Sequence, residues 1–292
     1  MTLHMDLPTL DDYPTRKGTE AALLYRRDPT VWGTAEDGPL TDAHLREHDR
    51  LGYTRFTSLL DGGETAGHLD EADRLVGDDR MRDDERAVVD PADQVIRSVF
   101  EVHRVSEVFD ALVNDPRLLE PARQILGSEV YVHQSRLDHR PGFDNGSGYW
   151  HSDFETWHAE DGMPRMRAVG FSVALTDHRP HTGAPLVMPG SHRTYVSCLE
   201  EGDGGRAGIP DRGTLTILAD RHGIDTLEAG AGDATVLDAN CMYTTGANIT
   251  PWTGSALFVV YNSVENACEK PFGGEDPRPG FLASRDFTPA GR

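Results

Sequence analysis

The chain has 292 residues and a formal net charge of −21, because 49 aspartate and glutamate residues outnumber 28 lysine and arginine residues. That acidic excess excludes nonspecific nucleic-acid binding, which depends on cationic contacts to phosphates. Hydrophobic residues make up 37% of the chain, and no apolar run approaches the ~20 residues of a membrane-spanning helix, so no membrane partner is expected.

The first 40 residues mix proline, aspartate and glycine without a sustained periodicity. They lack the basic start and the apolar stretch of a secretory signal, which predicts a cytoplasmic protein. A segment of this composition favours irregular structure over a helix or a strand. We therefore predict an extended N-terminal arm over residues 1–40 that packs on the rest of the protein.

Residues 41–127 carry helical signals. Thr41 precedes apolar residues at helical spacing, and Gly52 provides a stop, which predicts a capped helix. A short strand is predicted over 53–56. A later helix opens at Pro116 and closes at Gly127. This part of the chain is predicted to be a mostly helical flank.

Residues 128–267 change in character to short β-rich runs, among them VYVHQSRL, RAVGFSVAL and ALFVVYN, separated by glycine, proline and aspartate. Many short strands with such turn signals are typical of an antiparallel barrel or jelly roll. We predict a mainly β fold with flanking helices, formed by a single domain over 1–292. Residues 268–292 form its C-terminal tail.

One short motif could carry metal chemistry. His151 and Asp153 lie two residues apart, and on a strand that spacing places both side chains on one face. Such a pair, completed by a distant histidine, is the ligand set of non-haem iron oxygenases. Taken alone the motif is weak, because an isolated His-x-Asp is more often a surface accident than a pair of ligands.

Longer motifs strengthen this interpretation. They are HQSR at 133–136, PGF at 141–143, YWHSDFETWHAEDGMPRMRA at 149–168, PGSHRTYVSC at 189–198, NITP at 248–251 and VYNSVENA at 260–267. The sequence here resembles the bacterial ectoine hydroxylases of the phytanoyl-CoA dioxygenase superfamily, from about the first helix to PRPGF at 277–281. The resemblance implies a double-stranded β-helix with flanking helices.

The resemblance also implies two residues that this chain lacks. In the family, a histidine before NITP completes the iron site and an arginine after it binds the far carboxylate of 2-oxoglutarate. Tyr243 and Gly254 stand there instead, and Asp138 replaces an amide beside the same site. All 13 histidines lie at or before His222, and no arginine or lysine occurs between His222 and Glu269. We therefore predict no bound cofactor or metal, with His151 and Asp153 as vestiges of the iron site.

These losses predict a non-oxidative enzyme, an elimination or cyclisation catalyst on a small zwitterionic, amino-acid-derived substrate that a carrier protein could present. His151 beside Asp153 would act as a general base, and Tyr243 would assist a leaving group. A blander alternative is that Tyr243 only fills vacated space. The residues expected to face the substrate, from the resemblance and the HQSR motif, are Gln134, Arg136, Trp157 and Ser172.

Two alternative functions stay open. The chain could be a catalytically silent subunit that completes a related partner, so that either a homodimer or a heterodimer with a paralogue is expected. Alternatively it is an Fe(II)- and 2-oxoglutarate-dependent hydroxylase with an atypical metal site, in which His151, Asp153 and the Tyr243 phenolate hold the iron.

Overall fold

The computed structural model describes residues 11–18, 20–144, 146, 148–200 and 207–291. The first ten residues of the predicted arm lie outside this range. Within the described chain, no helix is both long enough and apolar enough to cross a bilayer. The division of residues 1–292 into arm, flank, core and tail stays a prediction.

The helices lie mainly before residue 127 and share the expected capping signals. The first one begins after Thr41, whose side chain accepts a hydrogen bond from the His44 amide, and it ends at Gly52 with a φ of 80°. The α-helices are α1 (Asp42–Leu51), α2 (Gly62–Gly77), α3 (Asp79–Arg82), α4 (Val102–Val105), α5 (Glu107–Val113), α6 (Pro116–Leu126), α7 (Asp153–Thr156) and α8 (Arg212–His222). A π-helical turn, Trp157–Asp161, follows α7 directly.

The strands form one large antiparallel sheet and two smaller sheets. They are β1 (Ala22–Tyr25), β2 (Tyr53–Phe56), β3 (Ala87–Val89), β4 (Ile96–Phe100), β5 (Val130–Arg140), β6 (Ala168–Ala174), β7 (Pro185–Val187), β8 (Thr194–Ser197), β9 (Asp225–Thr226), β10 (Ala234–Asp238), β11 (Tyr243–Thr245) and β12 (Gly254–Ser263). The large sheet has the order β2-β10-β6-β12-β5-β4-β3, and the smaller sheets are β11-β7-β9 and β1-β8. The predicted mainly β, jelly-roll fold with flanking helices is confirmed.

The flank contributes more β-structure than its sequence suggested. The strand predicted over 53–56 is β2, but β3 and β4 extend the opposite edge of the large sheet. Polar residues and Pro91 separate these two short strands, and β4 is held by its pairing with β5 rather than by a local pattern.

The two faces of the large sheet have different roles. On β5 the residues alternate, so that Leu137 joins Leu257 and Val259 of β12 in the apolar core beneath α6, whereas Arg136, Asp138 and Arg140 lie on the other face. Burying one such aliphatic side chain contributes roughly 1.5–3 kcal/mol. The core therefore fixes the sheet, and the sheet in turn fixes which polar side chains face its open side.

The N-terminal arm is attached to the barrel by buried polar contacts. The Arg26 guanidinium pairs with Asp238 at the end of β10 with a separation of 2.7 Å, and both side chains are almost fully buried. Arg16 binds Glu155 of α7 at 2.8 Å. The described part of the arm is thus attached to the barrel by buried ion pairs.

A buried histidine below the arm makes stability depend on pH. Burial lowers the pKa of His48 to about 4, with smaller contributions from nearby His192 and Arg26 and against the attraction of Asp238. The unfolded chain, with an ordinary histidine pKa of 6.5, binds an extra proton between these values. We expect His48 to remove about 3 kcal/mol of the unfolding free energy as pH falls from 6.5 to 4, and none of it above that window. Urea denaturation across this range checks the result.

The His48→Gln variant is the direct test, because it keeps a hydrogen-bonding group near Thr54, whose hydroxyl lies 3.3 Å from His48 Nδ1. Its unfolding free energy should decline less steeply with acid than that of the native chain. His44→Gln, an exposed change on the same helix, serves as the control for removing a histidine. Equal slopes for His48→Gln and the native protein would contradict the expectation.

Candidate active site

A cavity of about 530 Å³ opens on the polar face of the large sheet. Its lining comes from several elements that are far apart in sequence. Arg136 and Arg140 come from β5, Ser172 comes from β6, Tyr243 comes from β11 and Gly254 comes from β12. The topology therefore brings together groups from both the start and the end of the barrel.

His151, Asp153 and Tyr243 meet at this cavity. The backbone amides and carbonyls of His151 and Tyr243 exchange two hydrogen bonds of 3.0 Å, and their ring centres are 4.6 Å apart. The Tyr243 hydroxyl lies 3.1 and 3.2 Å from the two carboxylate oxygens of Asp153. His151 Nε2 lies 3.6 Å from Asp153 Oδ1. The three predicted residues thus form one cluster.

The local structure that brings them together differs from the predicted strand. His151 makes an isolated bridge to Tyr243, and Asp153 is the first residue of α7. The two side chains converge because the backbone turns into a helix after Ser152, not because they share the face of a strand.

The hydrogen bonds of this cluster define its protonation. His151 Nδ1 lies 2.9 Å from the Tyr149 carbonyl oxygen, which only accepts, so the ring donates from Nδ1, and in the neutral ring the lone pair is on Nε2. Burial and the Asp153 carboxylate both raise the pKa of Tyr243 well above its ordinary value. In the absence of another charge the phenol therefore stays protonated and donates to Asp153. The resulting cluster presents lone pairs on nitrogen and oxygen to the same small space.

Two of the four predicted substrate residues line the cavity. Ser172 and Arg136 face it from neighbouring positions across the sheet, and both are registered with Phe258 of β12. The Arg136 guanidinium lies 5.1 Å from the Phe258 ring centre and 5.6 Å from that of Phe100. Burial lowers the pKa of Arg136, but Asp138 and the other acidic groups around the guanidinium together raise that pKa above its ordinary value. This arginine is a fixed positive charge with restricted motion.

The other two predicted substrate residues lie elsewhere. Gln134 shares the polar face of β5, but its amide donates to the Leu282 carbonyl of the C-terminal segment at 2.7 Å. Trp157 is buried in an aromatic cluster, with its ring 5.3 Å from that of His133. Neither residue lines the cavity. Their assignment to substrate binding stays a prediction.

The negative charge of Asp138, which replaces an amide of the family, is neutralised by its neighbours. Asp138 Oδ1 lies 2.7 Å from Arg136 Nε and accepts a hydrogen bond of 2.9 Å from Ser98. A carboxylate in such an ion pair presents little net charge to the cavity. Asp138 therefore gives no electrostatic reason to exclude an acidic ligand.

Arg140 was not predicted as a site residue. The cation was expected only between His222 and Glu269, whereas Arg140 lies on β5 and is the registered partner of Gly254 on β12. Arg140 continues the two-residue alternation that contains Arg136 and Asp138, and this periodicity was the signal that could have identified it. A guanidinium therefore lines the cavity beside the position where the closing strand has only glycine.

The fold and the site define a jelly-roll protein with a histidine, a carboxylate and a phenol at the wall of a polar cavity. The phytanoyl-CoA dioxygenase model matches residues 48–253, and the chain belongs to that family. It is accordingly an enzyme of dioxygenase type.

Curated relatives cover almost the whole chain. It is 47% identical to the ectoine dioxygenase of Streptomyces avermitilis, over 96% of this chain and 98% of the relative. It is 43% identical to the ectoine dioxygenase of Halomonas elongata, over 94% and 86% respectively. The predicted resemblance to ectoine hydroxylases is confirmed at this level.

Solved structures agree with this assignment. EctD from S. alaskensis with bound Fe superimposes with a TM-score of 0.89 at 43% identity and covers 97% of both chains. The same enzyme with 2-oxoglutarate and 5-hydroxyectoine gives a TM-score of 0.88 at 44% identity, with 94% of both chains covered.

These comparisons correct two predictions. The non-oxidative elimination or cyclisation is wrong, because the relatives over nearly the full length are dioxygenases. The prediction that no cofactor is used is also wrong, because EctD binds Fe and 2-oxoglutarate. The error was to consider only the residues after His222 as the source of the missing ligand and the missing cation, although β5 also lines the cavity. The dimeric or heterodimeric association, the carrier and the cytoplasmic location stay predictions.

Proposed function

We propose that this protein is an Fe(II)- and 2-oxoglutarate-dependent hydroxylase that acts on ectoine or a closely similar small zwitterion, with iron bound by His151, Asp153 and Tyr243. The observation that carries the proposal is the contact of Asp153 with both His151 and Tyr243, two residues that line the cavity. Relatives named ectoine dioxygenase support the reaction class and the substrate class.

The chemistry of the donor set fits iron. A histidine lone pair and a carboxylate oxygen 3.6 Å apart are complementary to a cation between them, since neither can donate a hydrogen bond to the other. A metal-binding histidine usually donates its other ring N–H to a carbonyl or carboxylate, as His151 does to Tyr149. Imidazole nitrogen, carboxylate and phenol oxygen all serve as iron ligands in proteins.

The phenol makes the proposed metal site atypical. Within the described residues, no group of three or more histidine, cysteine, aspartate or glutamate side chains is arranged to hold a metal ion. Among the described residues, Tyr243 is the donor next to the pair, since its hydroxyl lies within 3.2 Å of both Asp153 oxygens. A bound cation lowers the pKa of a coordinating group, which favours the phenolate form of Tyr243.

The cavity also suits 2-oxoglutarate. This dicarboxylate needs cationic partners when it leaves water, because an unpaired buried carboxylate costs several kcal/mol. Arg136 and Arg140 both line the cavity. The residues present therefore fit an acidic co-substrate.

Bound iron with 2-oxoglutarate and dioxygen supplies the oxidation, in which the 2-oxo acid is decarboxylated and one C–H bond of the substrate is hydroxylated. The protein residues position the reactants for this step. Arg136 binds a substrate carboxylate, and its flanking Phe100 and Phe258 rings limit its motion. The Ser172 hydroxyl provides a further hydrogen bond from β6, on the other side of β12. The Tyr149 carbonyl holds the Nδ1 proton of His151, which keeps Nε2 directed toward Asp153.

The test is turnover of ectoine under labelled dioxygen. Purified protein with Fe(II), 2-oxoglutarate and ectoine should form one succinate and one hydroxylated product per 2-oxoglutarate consumed. Mass spectrometry should find one labelled oxygen in each product, and omission of iron or of 2-oxoglutarate should abolish both. A product without labelled oxygen, or no succinate under any substrate of this class, would refute the proposal.

A further inference from the structure

Arg140 lines the cavity beside Gly254, the position at which β12 carries no side chain. Its Cα is paired with that of Gly254 in the β5–β12 ladder, so both residues project to the same face of the sheet. A Cβ built on Gly254 would lie 3.9 Å from the Arg140 Cβ, which confirms this orientation. The guanidinium therefore extends into the cavity from the neighbouring strand.

The hydrogen-bond partners of Arg140 are neutral. Nη1 donates to the Gly246 carbonyl and Nη2 donates to Thr245 Oγ1 at 3.0 Å. The nearest carboxylate recorded for it is Asp144, whose oxygen is 3.9 Å from Nε. That separation is too long for a hydrogen bond. The positive charge of Arg140 is thus only weakly compensated by the described residues.

The other two arginines of the cavity differ in this respect. Arg97 binds Asp93 at 2.6 Å and Asp90 at 3.1 Å. Arg136 lies 2.7 Å from Asp138. Of the three, Arg140 is the one with no carboxylate oxygen within hydrogen-bond distance among the described residues.

Two glycines shape the space around this guanidinium. A Cβ on Gly183, which has a φ of +85°, would lie only 2.7 Å from Arg140 Nη1. A Cβ on Gly254 would meet nothing nearer than the Thr182 carbonyl at 3.7 Å. Gly183 therefore admits the guanidinium, and the absence of a side chain at Gly254 leaves room beside it.

We propose that Arg140 binds the carboxylate of 2-oxoglutarate that is remote from the 2-oxo acid group. This inference rests on the proposed function, in which the 2-oxo acid end approaches His151, Asp153 and Tyr243. A planar guanidinium can bind a carboxylate through two parallel hydrogen bonds. The cation for the dicarboxylate is thus an arginine of β5, instead of an arginine at position 254 of the neighbouring strand β12.

The test is isothermal titration calorimetry of anaerobic Fe(II)-loaded protein with 2-oxoglutarate and, separately, with pyruvate, which has the 2-oxo acid group but no second carboxylate. Arg140→Gln should weaken 2-oxoglutarate binding by about 10- to 100-fold and change pyruvate binding by less than about threefold. A merely structural role would weaken both ligands together. Arg97→Gln, a matched change of a carboxylate-paired arginine in the same cavity, should alter neither by more than about threefold.

A rescue variant completes the design. Gly254→Arg in the Arg140→Gln background should restore the preference for 2-oxoglutarate, because position 254 has room for a side chain on the same face. If Arg140→Gln does not fold, Arg140→Lys carries the test and should give an intermediate preference. Full retention of the preference in Arg140→Gln would overturn this inference and leave the proposed function intact. Failure of the native protein to bind 2-oxoglutarate would overturn both.

Discussion

Replacing Asp153 by alanine is expected to abolish iron binding and to reduce hydroxylation by at least about 1,000-fold. Asp153 is the only carboxylate in contact with both His151 and Tyr243 among the described residues. Without it, the cluster keeps a neutral imidazole and a neutral phenol, which together bind a divalent cation poorly. Iron content after anaerobic loading and gel filtration, together with succinate formation, measures both effects.

Substitutions at Tyr243 provide the matched series. Tyr243→Phe removes one oxygen and keeps the ring that packs 4.6 Å from His151, so it should weaken iron binding by about 10- to 100-fold without unfolding the protein. Tyr243→His replaces the phenol by an imidazole and should retain iron. Native iron affinity in both Tyr243→Phe and Asp153→Ala would show that the metal site lies elsewhere. Circular dichroism of each variant separates loss of iron from loss of fold.

Much of the fold could be predicted from the sequence, because many of its elements depend on short-range patterns. The cap at Thr41, the stop at Gly52 and the period-two alternation of VYVHQSRL are local signals, and each is realised in an element of the expected type. The strands β3 and β4 were not anticipated, because they are short and their pairing with the sheet edge is decided by tertiary contact.

The site was predicted in part for the same reason. His151 and Asp153 are close in sequence, and the resemblance supplied Tyr243 as the residue facing them. Arg140 was missed because its role depends on the register between β5 and β12, two strands that are more than a hundred residues apart. The pattern of residues along the sequence does not show which residue of one strand lies beside a glycine of another strand.

The wrong functional prediction follows from that omission. A missing histidine and a missing arginine were each taken as a missing charge or ligand, although a neighbouring element can supply the same group. Tyr243 supplies an oxygen to the cluster, Arg136 neutralises Asp138, and Arg140 faces Gly254. A replacement within a site therefore has to be judged on the charges and donors of the whole cavity.

The second large effect concerns the arm. Replacing Arg26 by methionine is expected to lower the unfolding free energy by about 3–5 kcal/mol, since the Asp238 carboxylate would lose its cation while remaining buried. Burial raises the pKa of Asp238, but Arg26 and His192 outweigh it and hold the pKa below its ordinary value, so the carboxylate is charged in the folded protein. The guanidinium also donates to the Met166 carbonyl at 2.8 Å. Equilibrium urea denaturation at neutral pH measures the change.

The adjacent residue supplies the control. Arg27 pairs with Asp12 on the surface, where both side chains are well exposed, so Arg27→Met should change the unfolding free energy by less than about 1 kcal/mol. The double variant Arg26→Met with Asp238→Leu should recover much of the loss, because it removes the stranded charge rather than only its partner. A loss in Arg26→Met no larger than that in Arg27→Met would mean that this buried pair contributes little to holding the arm. A double variant no more stable than Arg26→Met would assign the loss to the backbone contacts of Arg26 instead of to the charge of Asp238.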